Sequence, residues 1–311
     1  MISAIIPSKN NDETLDACLE SVVNSLPYDK EVIVVDGHST DSTPKILAKY
    51  RDKIKVVYDE GKGLGRARNV GVKNAKYDII AFVDSDVICA KDHFLRILDY
   101  FKEHPDVGAV DTDGVHPRAG TNIQKMESLF FESVERYYPR QLNLRGWSIA
   151  LRRSAFDAVG GFWRGGGEDN EFSYKLRAKG IKMATVKTES WHMQRRTLIG
   201  LLKEMRLWGR DAAYFYHVWG NTPTFIQDHR KRKIFRVLHN AKVIEPIANI
   251  VAPITGIKYF VMTKSPSLCV HFIVRQYAFL FGYIQGNFDI LVNSPRLPWR
   301  PLHEAYLERY G

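Results

Sequence analysis

The sequence predicts an α/β fold, with a mostly parallel sheet covered by helices on both faces. Short, continuous apolar runs alternate with stretches of helical periodicity through the first half of the chain, and buried strands have such uninterrupted runs. Strands and helices in this order are typical of parallel βαβ units. With 311 residues, the chain is long enough for one large domain or two smaller ones.

The first elements follow this alternation closely. Residues 12–23 place Leu15, Leu19 and Val22 on one helical face, and Ser39-Thr40-Asp41 is typical of a helix cap. The predicted strands are Ser3–Pro7, Glu31–Asp36, Lys55–Tyr58 and Tyr77–Val83, and the predicted helices are Asp12–Val23, Thr43–Tyr50 and Gly65–Ala75.

Beyond residue 86 the alternation becomes less regular. Gly160-Gly161-Phe162 and Gly165-Gly166-Gly167 indicate turns or a loop. The predicted helices are Lys91–His104, Ile123–Tyr138 and Glu168–Lys179, and the predicted strands are Gly108–Asp111, Gly146–Leu151 and Lys182–Val186.

The last two-fifths of the chain differ in charge. Residues 191–311 carry 17 Lys and Arg against 7 Asp and Glu, so the whole formal charge of +10 lies there. This balance indicates an anionic partner for the second part of the chain. Three widely spaced cysteines argue against a disulfide framework. Because a strand is predicted at the very start, we expect no signal peptide.

Three apolar or amphipathic helical stretches are expected in this part. Thr197–Trp208 is amphipathic and suits a helix lying on a membrane surface. Val243–Met262 and Leu268–Ile284 are near the length that crosses a bilayer. Spanning is marginal, because the second contains His271 and Arg275 and a central charge costs roughly 2.5–3.5 kcal/mol. A spanning hairpin, two re-entrant helices, and a soluble helical subdomain or dimer interface all remain open. The predicted stripe of the first stretch is Leu198, Leu201, Leu202, Met205 and Trp208.

Two aspartates follow the strand that ends at Val83. Ligands of open α/β sheets bind just past the carboxyl ends of the strands, where Asp84-Ser85-Asp86 lies. Paired carboxylates suit a hard divalent cation that carries substrate phosphates. A pair of helix-capping aspartates is the alternative interpretation.

A set of motifs resembles inverting family 2 glycosyltransferases, which have the Rossmann-like GT-A fold. The motifs occur in the family's order over roughly residues 1–192. They are Ile5–Asn11, Glu31–Asp36 with Ser39-Thr40-Asp41, Lys62-Gly63 with Ala67-Arg68-Asn69 and Gly71, Asp84-Ser85-Asp86, Gly160-Gly161-Phe162, and Glu168-Asp169. The C-terminal part looks like that of membrane-associated members with lipid-linked acceptors.

The resemblance implies a divalent cation, Mn²⁺ or Mg²⁺. Asp86 would bind the cation, and Asp84 would contact the ribose or a metal-bound water. His192 would complete the cation's ligands, and imidazole suits Mn²⁺ better than Mg²⁺. An ordinary buried or surface histidine is the alternative for His192.

The resemblance also implies the catalytic and nucleotide-binding residues. Asp169 would be the base that takes the acceptor's proton, and Glu168 would hold the acceptor or the loop. Both could instead be ordinary acidic residues of a first helical turn. The nucleotide-sugar site would contain Pro7, Ser8, Asp36, Lys62, Arg68, Asp84 and Ser85.

The acceptor is expected to be lipid-linked, such as a polyprenyl phosphate or a lipid-linked saccharide. Trp147 would form part of the acceptor floor, although core packing is as good an explanation. Arg195 and Arg196 would meet a lipid phosphate. The donor would be GDP- or UDP-linked, with mannose or glucose favoured.

These inferences predict three parts of the chain. Residues 1–192 form the GT-A nucleotide-sugar-binding domain, 193–240 basic interfacial helices, and 241–311 an apolar hairpin and tail. Basic residues at Arg230–Arg236, Arg296 and Arg300 flank the hairpin and predict the cytoplasmic side of the cell membrane.

Other functions fit less well. The main alternatives are a soluble glycosyltransferase with a non-lipid acceptor and a non-catalytic relative that binds a nucleotide sugar. A nucleotidyltransferase would have a glycine-rich loop after the first strand, where Pro7-Ser8-Lys9-Asn10 stands. Nucleic acid is not expected as a partner, because the basic excess lies beside long apolar stretches.

Overall fold

The computed structural model describes residues 1–61, 63–114, 120–137, 144–163, 167–219 and 265–293. These residues form two compact units. Unit 1 comprises the described residues within Met1–Pro117, Arg140–Arg164 and Glu168–Gln194. Unit 2 comprises those within Arg118–Pro139, Gly165–Gly167 and Arg195–Gly311. The predicted three-part division stays a prediction.

A mixed sheet forms the centre of unit 1. The strands of the unit are β1 (Ile2–Ser8), β2 (Glu31–Asp36), β3 (Lys55–Tyr58), β4 (Ile79–Val83), β5 (Val87–Ile88), β6 (Val107–Asp113), β7 (Ser148–Arg152), β8 (Lys182–Lys187) and β9 (Trp191–His192). Seven of them stand in the order β3-β2-β1-β4-β7-β6-β8. Neighbouring strands are parallel except where β7 pairs with β4 and β6. The predicted mostly parallel sheet is confirmed.

Helices cover both faces of this sheet, as predicted. They are α1 (Leu15–Asn24), α2 (Thr43–Lys49), α3 (Leu64–Asn74), α4 (His93–Glu103), α6 (Arg153–Val159) and α7 (Glu168–Ala178). The helix α5 (Asn122–Tyr137) belongs to unit 2. Alternate residues of β1 enter two different cores, because successive side chains of a strand point to opposite faces. Ile2, Ala4 and Ile6 pack with residues of α1, α2 and α4. Ile5 packs with residues of α3, α6 and α7.

Two features of unit 1 were not predicted. One is the helix α6. The other is an antiparallel pair of two-residue strands, in which Val87 of β5 lies opposite His192 of β9. Such strands are too short to show a period in the sequence. The pair brings the segment after β8 to the carboxyl end of β4.

Unit 2 contains the helices α5 (Asn122–Tyr137), α8 (Leu198–Trp219) and α9 (Pro266–Asn293). Glycines let α8 and α9 approach closely. A Cβ atom on Gly209 would lie 1.8 Å from the carbonyl oxygen of Phe279, and one on Gly282 would lie 1.8 Å from that of Arg206. Within the described residues, the stretch Pro266–Asp289 is long and apolar enough to cross a membrane, as core helices of soluble proteins also can be.

Only part of the predicted apolar stripe of α8 is buried in the structure. Leu201 and Met205 are buried, whereas Leu198 and Trp208 are exposed. A helix that packs against a neighbour buries only part of a broad apolar face. The predicted helix Leu268–Ile284 lies within α9, and Val243–Met262 lies outside the described residues.

Candidate active site

The candidate site lies where three parallel strands end at one edge of the sheet. Ser8 pairs with Asp36 across β1 and β2, and β4 runs parallel to β1 and ends just before Asp84. Pro7 and Ser8 are buried at this edge. The Asp36 carboxylate accepts hydrogen bonds from the Ser39 hydroxyl (2.6 Å) and the Ser39 main-chain N–H (3.2 Å). Asp36 therefore shapes the loop after β2.

Main-chain and side-chain bonds hold the Asp84-Ser85-Asp86 segment. The N–H of Asp84 donates to the carbonyl of Trp147 (3.0 Å). The Asn11 amide donates to the Ser85 hydroxyl (2.5 Å), and the Thr14 hydroxyl donates to the Ser85 carbonyl (3.0 Å). Residues at the entrance of α1 thus anchor the turn that carries both aspartates.

His192 lies beside Asp86, where the pairing of β5 and β9 places it. Its Nε2 atom is 3.0 Å from Oδ1 of Asp86. The Gln194 amide lies 3.3 Å from its Nδ1 atom, and its ring stacks on Trp147 with centroids 6.4 Å apart. One carboxylate oxygen and one imidazole nitrogen converge here, which is a donor set that Mn²⁺ accepts. The described residues contain no group of three or more His, Cys, Asp or Glu side chains arranged for a metal.

Arg68 connects the two acidic motifs. It lies on α3 and is fully buried. Its Nη2 atom donates to Oδ1 of Asp84 (3.0 Å) and to the carbonyl of Gly146 (2.6 Å), and its Nη1 atom donates to Oε1 of Glu168 (2.8 Å). Arg68 thereby holds two carboxylates, and its predicted contact with the nucleotide stays a prediction.

Burial opposes the charged forms of these carboxylates. It raises the pKa of Glu168 to about 7, although the charge of Arg68 acts in the opposite direction. It also raises the pKa of Asp84, again against the charge of Arg68, while the nearby Asp86 adds to the rise. The guanidinium therefore supports two carboxylates that would otherwise favour protonation.

Asp169 has different surroundings from Glu168. It is half-buried in the first turn of α7. Its Oδ2 atom accepts from the N–H of Gly146 (3.1 Å), and its Oδ1 atom accepts from the N–H of Asn170 (2.8 Å). Gly146 therefore contacts both residues: its carbonyl accepts a hydrogen bond from Arg68, and its N–H donates one to Asp169.

Comparison with known proteins assigns the family. Residues 3–160 match the family model described as glycosyl transferase family 2. The chain belongs to glycosyl transferase family 2. A validoxylamine A glucosyltransferase of Streptomyces hygroscopicus subsp. limoneus is 28% identical over 62% of this chain and 51% of the relative. A poly-beta-1,6-N-acetyl-D-glucosamine synthase of Staphylococcus aureus is 27% identical over 68% of this chain and 54% of the relative.

The chain spans about half the length of these curated relatives. Among solved structures, the mannosyltransferase PcManGT from Pyrobaculum calidifontis, in complex with GDP-Man and Mn²⁺, matches with a TM-score of 0.62. The two chains are 16% identical, and the match covers 94% of this chain and 88% of the other. The predicted family and GT-A fold are confirmed.

The family 2 motifs at Asn69 and Phe162 contact each other directly. The Asn69 amide donates to the carbonyl of Phe162 (2.8 Å) and accepts from its N–H (2.9 Å). The Phe162 ring stacks on Phe172 of α7 with centroids 4.2 Å apart. Asn69 was not among the predicted site residues, although it belongs to one of the motifs that indicated the family. These two hydrogen bonds join α3 to the segment before the Glu168-Asp169 pair.

The remaining predicted site residues of this family 2 chain are not part of the cluster around Arg68 and Asp86. Trp147 is partly buried and packs against the core cluster that also contains residues of α1, α2 and α4, and the Arg145 guanidinium lies 5.7 Å from its ring centroid. Arg195 and Arg196 belong to unit 2, where Arg195 forms an ion pair with Glu204 (2.9 Å). Lys62 lies outside the described residues.

Proposed function

We propose that this chain is an inverting glycosyltransferase that moves one sugar from a nucleotide diphosphate sugar to an acceptor hydroxyl. One observation carries the proposal. Arg68 links Asp84 of the Asp84-Ser85-Asp86 segment to Glu168, the neighbour of Asp169. The same sheet edge thus offers a site for the donor's diphosphate and a carboxylate for the acceptor's proton.

Asp86 and His192 would hold the divalent cation, either Mn²⁺ or Mg²⁺. Their facing donor atoms support this assignment. When bound, such a cation offsets negative charge on the leaving diphosphate. Asp84 is held by Arg68 and would border the ribose. The remaining ligands of the cation would come from the diphosphate and water.

Asp169 suits the role of general base better than Glu168. It is half-buried at the start of α7, where the helix N-terminus favours a carboxylate. Glu168 is buried against Arg68 and would position its neighbour. In the reaction, the acceptor oxygen bonds to the anomeric carbon, the bond from that carbon to the diphosphate breaks, and Asp169 takes the acceptor's proton.

A GDP- or UDP-linked donor with mannose or glucose remains our preferred substrate. The bound GDP-Man and Mn²⁺ of the structural relative support this choice by analogy of fold. The site itself has no described feature that selects one sugar.

A lipid-linked acceptor at the cytoplasmic face of a membrane is the favoured acceptor class. The basic excess of residues 191–311 supports it, and so does the apolar stretch Pro266–Asp289. A polyprenyl phosphate or a lipid-linked saccharide would meet both requirements. A soluble acceptor is the alternative, and it predicts activity without lipid.

Replacing the proposed general base, Asp169, should separate catalysis from nucleotide binding. Asp169→Asn should lower kcat by about 10²- to 10⁴-fold, because general-base catalysis contributes that much. Binding of UDP or GDP with Mn²⁺, measured by calorimetry, should stay unchanged. Asp157→Asn, at an exposed position of α6, is the matched control. Normal turnover by Asp169→Asn would contradict the assignment of the base, and no nucleotide binding by the unsubstituted chain would contradict the proposed function.

A further inference from the structure

His93 is a buried histidine that the proposed mechanism does not use. It is the first residue of α4 and is fully buried. Its Nδ1 atom lies 2.7 Å from the Ser190 hydroxyl, and its Nε2 atom lies 3.3 Å from the Ser148 hydroxyl. Both serines are fully buried as well. The two ring nitrogens thus connect α4 to two other segments of unit 1, the start of β7 and the turn before β9.

The hydrogen-bonding capacity of His93 matches these two partners. Burial lowers the pKa of His93 to about 3, so the ring is neutral at physiological pH. A neutral imidazole has one donor nitrogen and one acceptor nitrogen. The Ser190 hydroxyl accepts from the N–H of Ala90 (2.9 Å) and can donate its own proton to Nδ1 of His93. Nε2 of His93 then donates to the Ser148 hydroxyl, and both ring nitrogens are satisfied.

The two serines stand next to residues of the candidate metal site. Ser148 directly follows Trp147, and Ser190 precedes His192 by two residues. The Trp147 ring stacks on the His192 ring with centroids 6.4 Å apart. His93 is therefore connected, through one serine each, to both members of this stacked pair.

The turn that leads into β9 needs such support. Glu189 has a φ of +57°, a left-handed conformation that is unfavourable for a residue with a side chain. Such a conformation persists only where the surrounding contacts hold it. On one side, the N–H of Thr188 donates to the carbonyl of Asp113 (3.0 Å). On the other side, Ser190 contacts His93. The turn thus has one anchor on each side of Glu189.

We propose that His93 is a positioning residue for His192 and keeps its imidazole directed at Asp86. The inference rests on the proposed function, in which Asp86 and His192 hold the divalent cation. Groups behind the ligands of a metal fix the orientation of those ligands, and their loss commonly lowers metal affinity about 10- to 100-fold. His93 acts through the main chain and the Trp147 ring rather than by direct contact, so we expect an effect of about tenfold.

The test measures the affinity for Mn²⁺ by calorimetry on the detergent-purified full chain, in the presence of UDP or GDP. His93→Phe keeps an aromatic ring at this position and removes both nitrogens, so it should weaken Mn²⁺ binding about tenfold. Ile97→Val is the matched control. Ile97 is also fully buried and lies one turn further along α4, so this variant perturbs the packing of the helix without removing a bond to either serine. It should bind Mn²⁺ normally.

Pulsed electron paramagnetic resonance of the bound Mn²⁺ gives a readout that a change in stability alone would not move. The unsubstituted chain should show coupling of Mn²⁺ to an imidazole nitrogen, and His192→Ala should remove that coupling. Ser190→Ala breaks the same connection while leaving the His93 ring in the core. It should therefore reduce both the coupling and the Mn²⁺ affinity, even if His93→Phe does not fold.

The outcomes separate this inference from the proposed function. Unchanged Mn²⁺ affinity and coupling in Ser190→Ala, or an equal loss of affinity in Ile97→Val, would overturn the role of His93 and leave the proposed function intact. Binding of Mn²⁺ without nitrogen coupling in the unsubstituted chain would overturn the roles of His192 and His93 alone. Failure of the unsubstituted chain to bind Mn²⁺ or any nucleotide would overturn the proposed function as well.

Discussion

At the scale of single residues, Arg68 organises the candidate site. Its guanidinium is fully buried and donates at once to Asp84, Glu168 and the carbonyl of Gly146. Its planar group also lies 5.3 Å from the centroid of Phe162. A guanidinium offers five donors in a rigid plane, which a lysine ammonium cannot reproduce. Arg68 is therefore a positioning residue for carboxylates on two separate segments.

Removing Arg68 should destabilise unit 1. Arg68→Met leaves Asp84 and Glu168 without their shared cation, and breaking a buried pair in this way costs about 3–5 kcal/mol. Chemical unfolding at pH 7 would measure the loss. Arg66→Met is the matched control on the same helix, since Arg66 pairs with the half-exposed Glu60 and such pairs contribute about 0–1 kcal/mol. Equal losses for the two variants would contradict the buried role of Arg68.

At the scale of elements, a buried polar cluster joins α9 to α5. Glu127 of α5 forms ion pairs with His271 and Arg275 of α9, and all three side chains are buried. Burial opposes the charged form of Glu127, but the hydrogen bond from His271 and the charge of Arg275 outweigh it, so the pKa of Glu127 is lowered. His271 and Arg275, which made spanning marginal in the sequence, therefore have a partner within unit 2.

Removing only the acid of this cluster should lower the free energy of unfolding more than replacing all three polar residues by leucine. Glu127→Leu leaves His271 and Arg275 buried without their acid, and we expect a loss of about 3–5 kcal/mol. The triple variant Glu127→Leu, His271→Leu, Arg275→Leu should recover most of that loss, because apolar packing often replaces buried ion pairs. Unfolding of the detergent-purified protein would measure both.

The control for the cluster is Asp289→Leu, which removes the more exposed pair of Arg210 with Asp289 (3.2 Å). Its expected cost is about 0–1 kcal/mol. A triple variant no more stable than Glu127→Leu would show that the polar cluster itself is needed for the packing of these helices.

At the scale of the whole molecule, charge and exposed apolar surface are unevenly distributed. The formal charge of +10 lies in residues 191–311, and α9 exposes Val270, Phe281 and Phe288 at 59–62%. Several large apolar side chains exposed on one helix are typical of an interaction surface. Together with the basic residues, they favour a lipid surface as the partner.

Two substitutions on one face of α9 test the proposed membrane contact. Phe281 and Phe288 are seven residues apart and lie on the same helical face. The variant Phe281→Glu, Phe288→Glu should reduce co-sedimentation with phosphatidylglycerol vesicles about tenfold or more, because charges insert poorly. Tyr28→Glu in unit 1, at an exposed aromatic position, should bind normally. Unchanged binding of the double variant, with release by salt alone, would indicate a purely electrostatic contact.

Strand and helix positions in unit 1 were predictable because they follow from local patterns. Its predicted elements end within three residues of the observed bounds. His192 could be predicted as a metal ligand only by resemblance, since the two-residue strands β5 and β9 give no periodic signal. The burial of Arg68 could not be predicted, because its partners lie 16 and 100 residues away.

The α/β class, the two-sided core, the family and the acidic motifs could all be inferred from the amino-acid sequence. Apolar runs and short motifs carry this information, because they depend on neighbouring residues alone. Three features are visible only in the folded chain: His192 faces Asp86, Arg68 holds Asp84 and Glu168, and His93 joins Ser148 to Ser190. These features depend on contacts between distant segments, and such contacts exist only once the sheet and its helices have packed together.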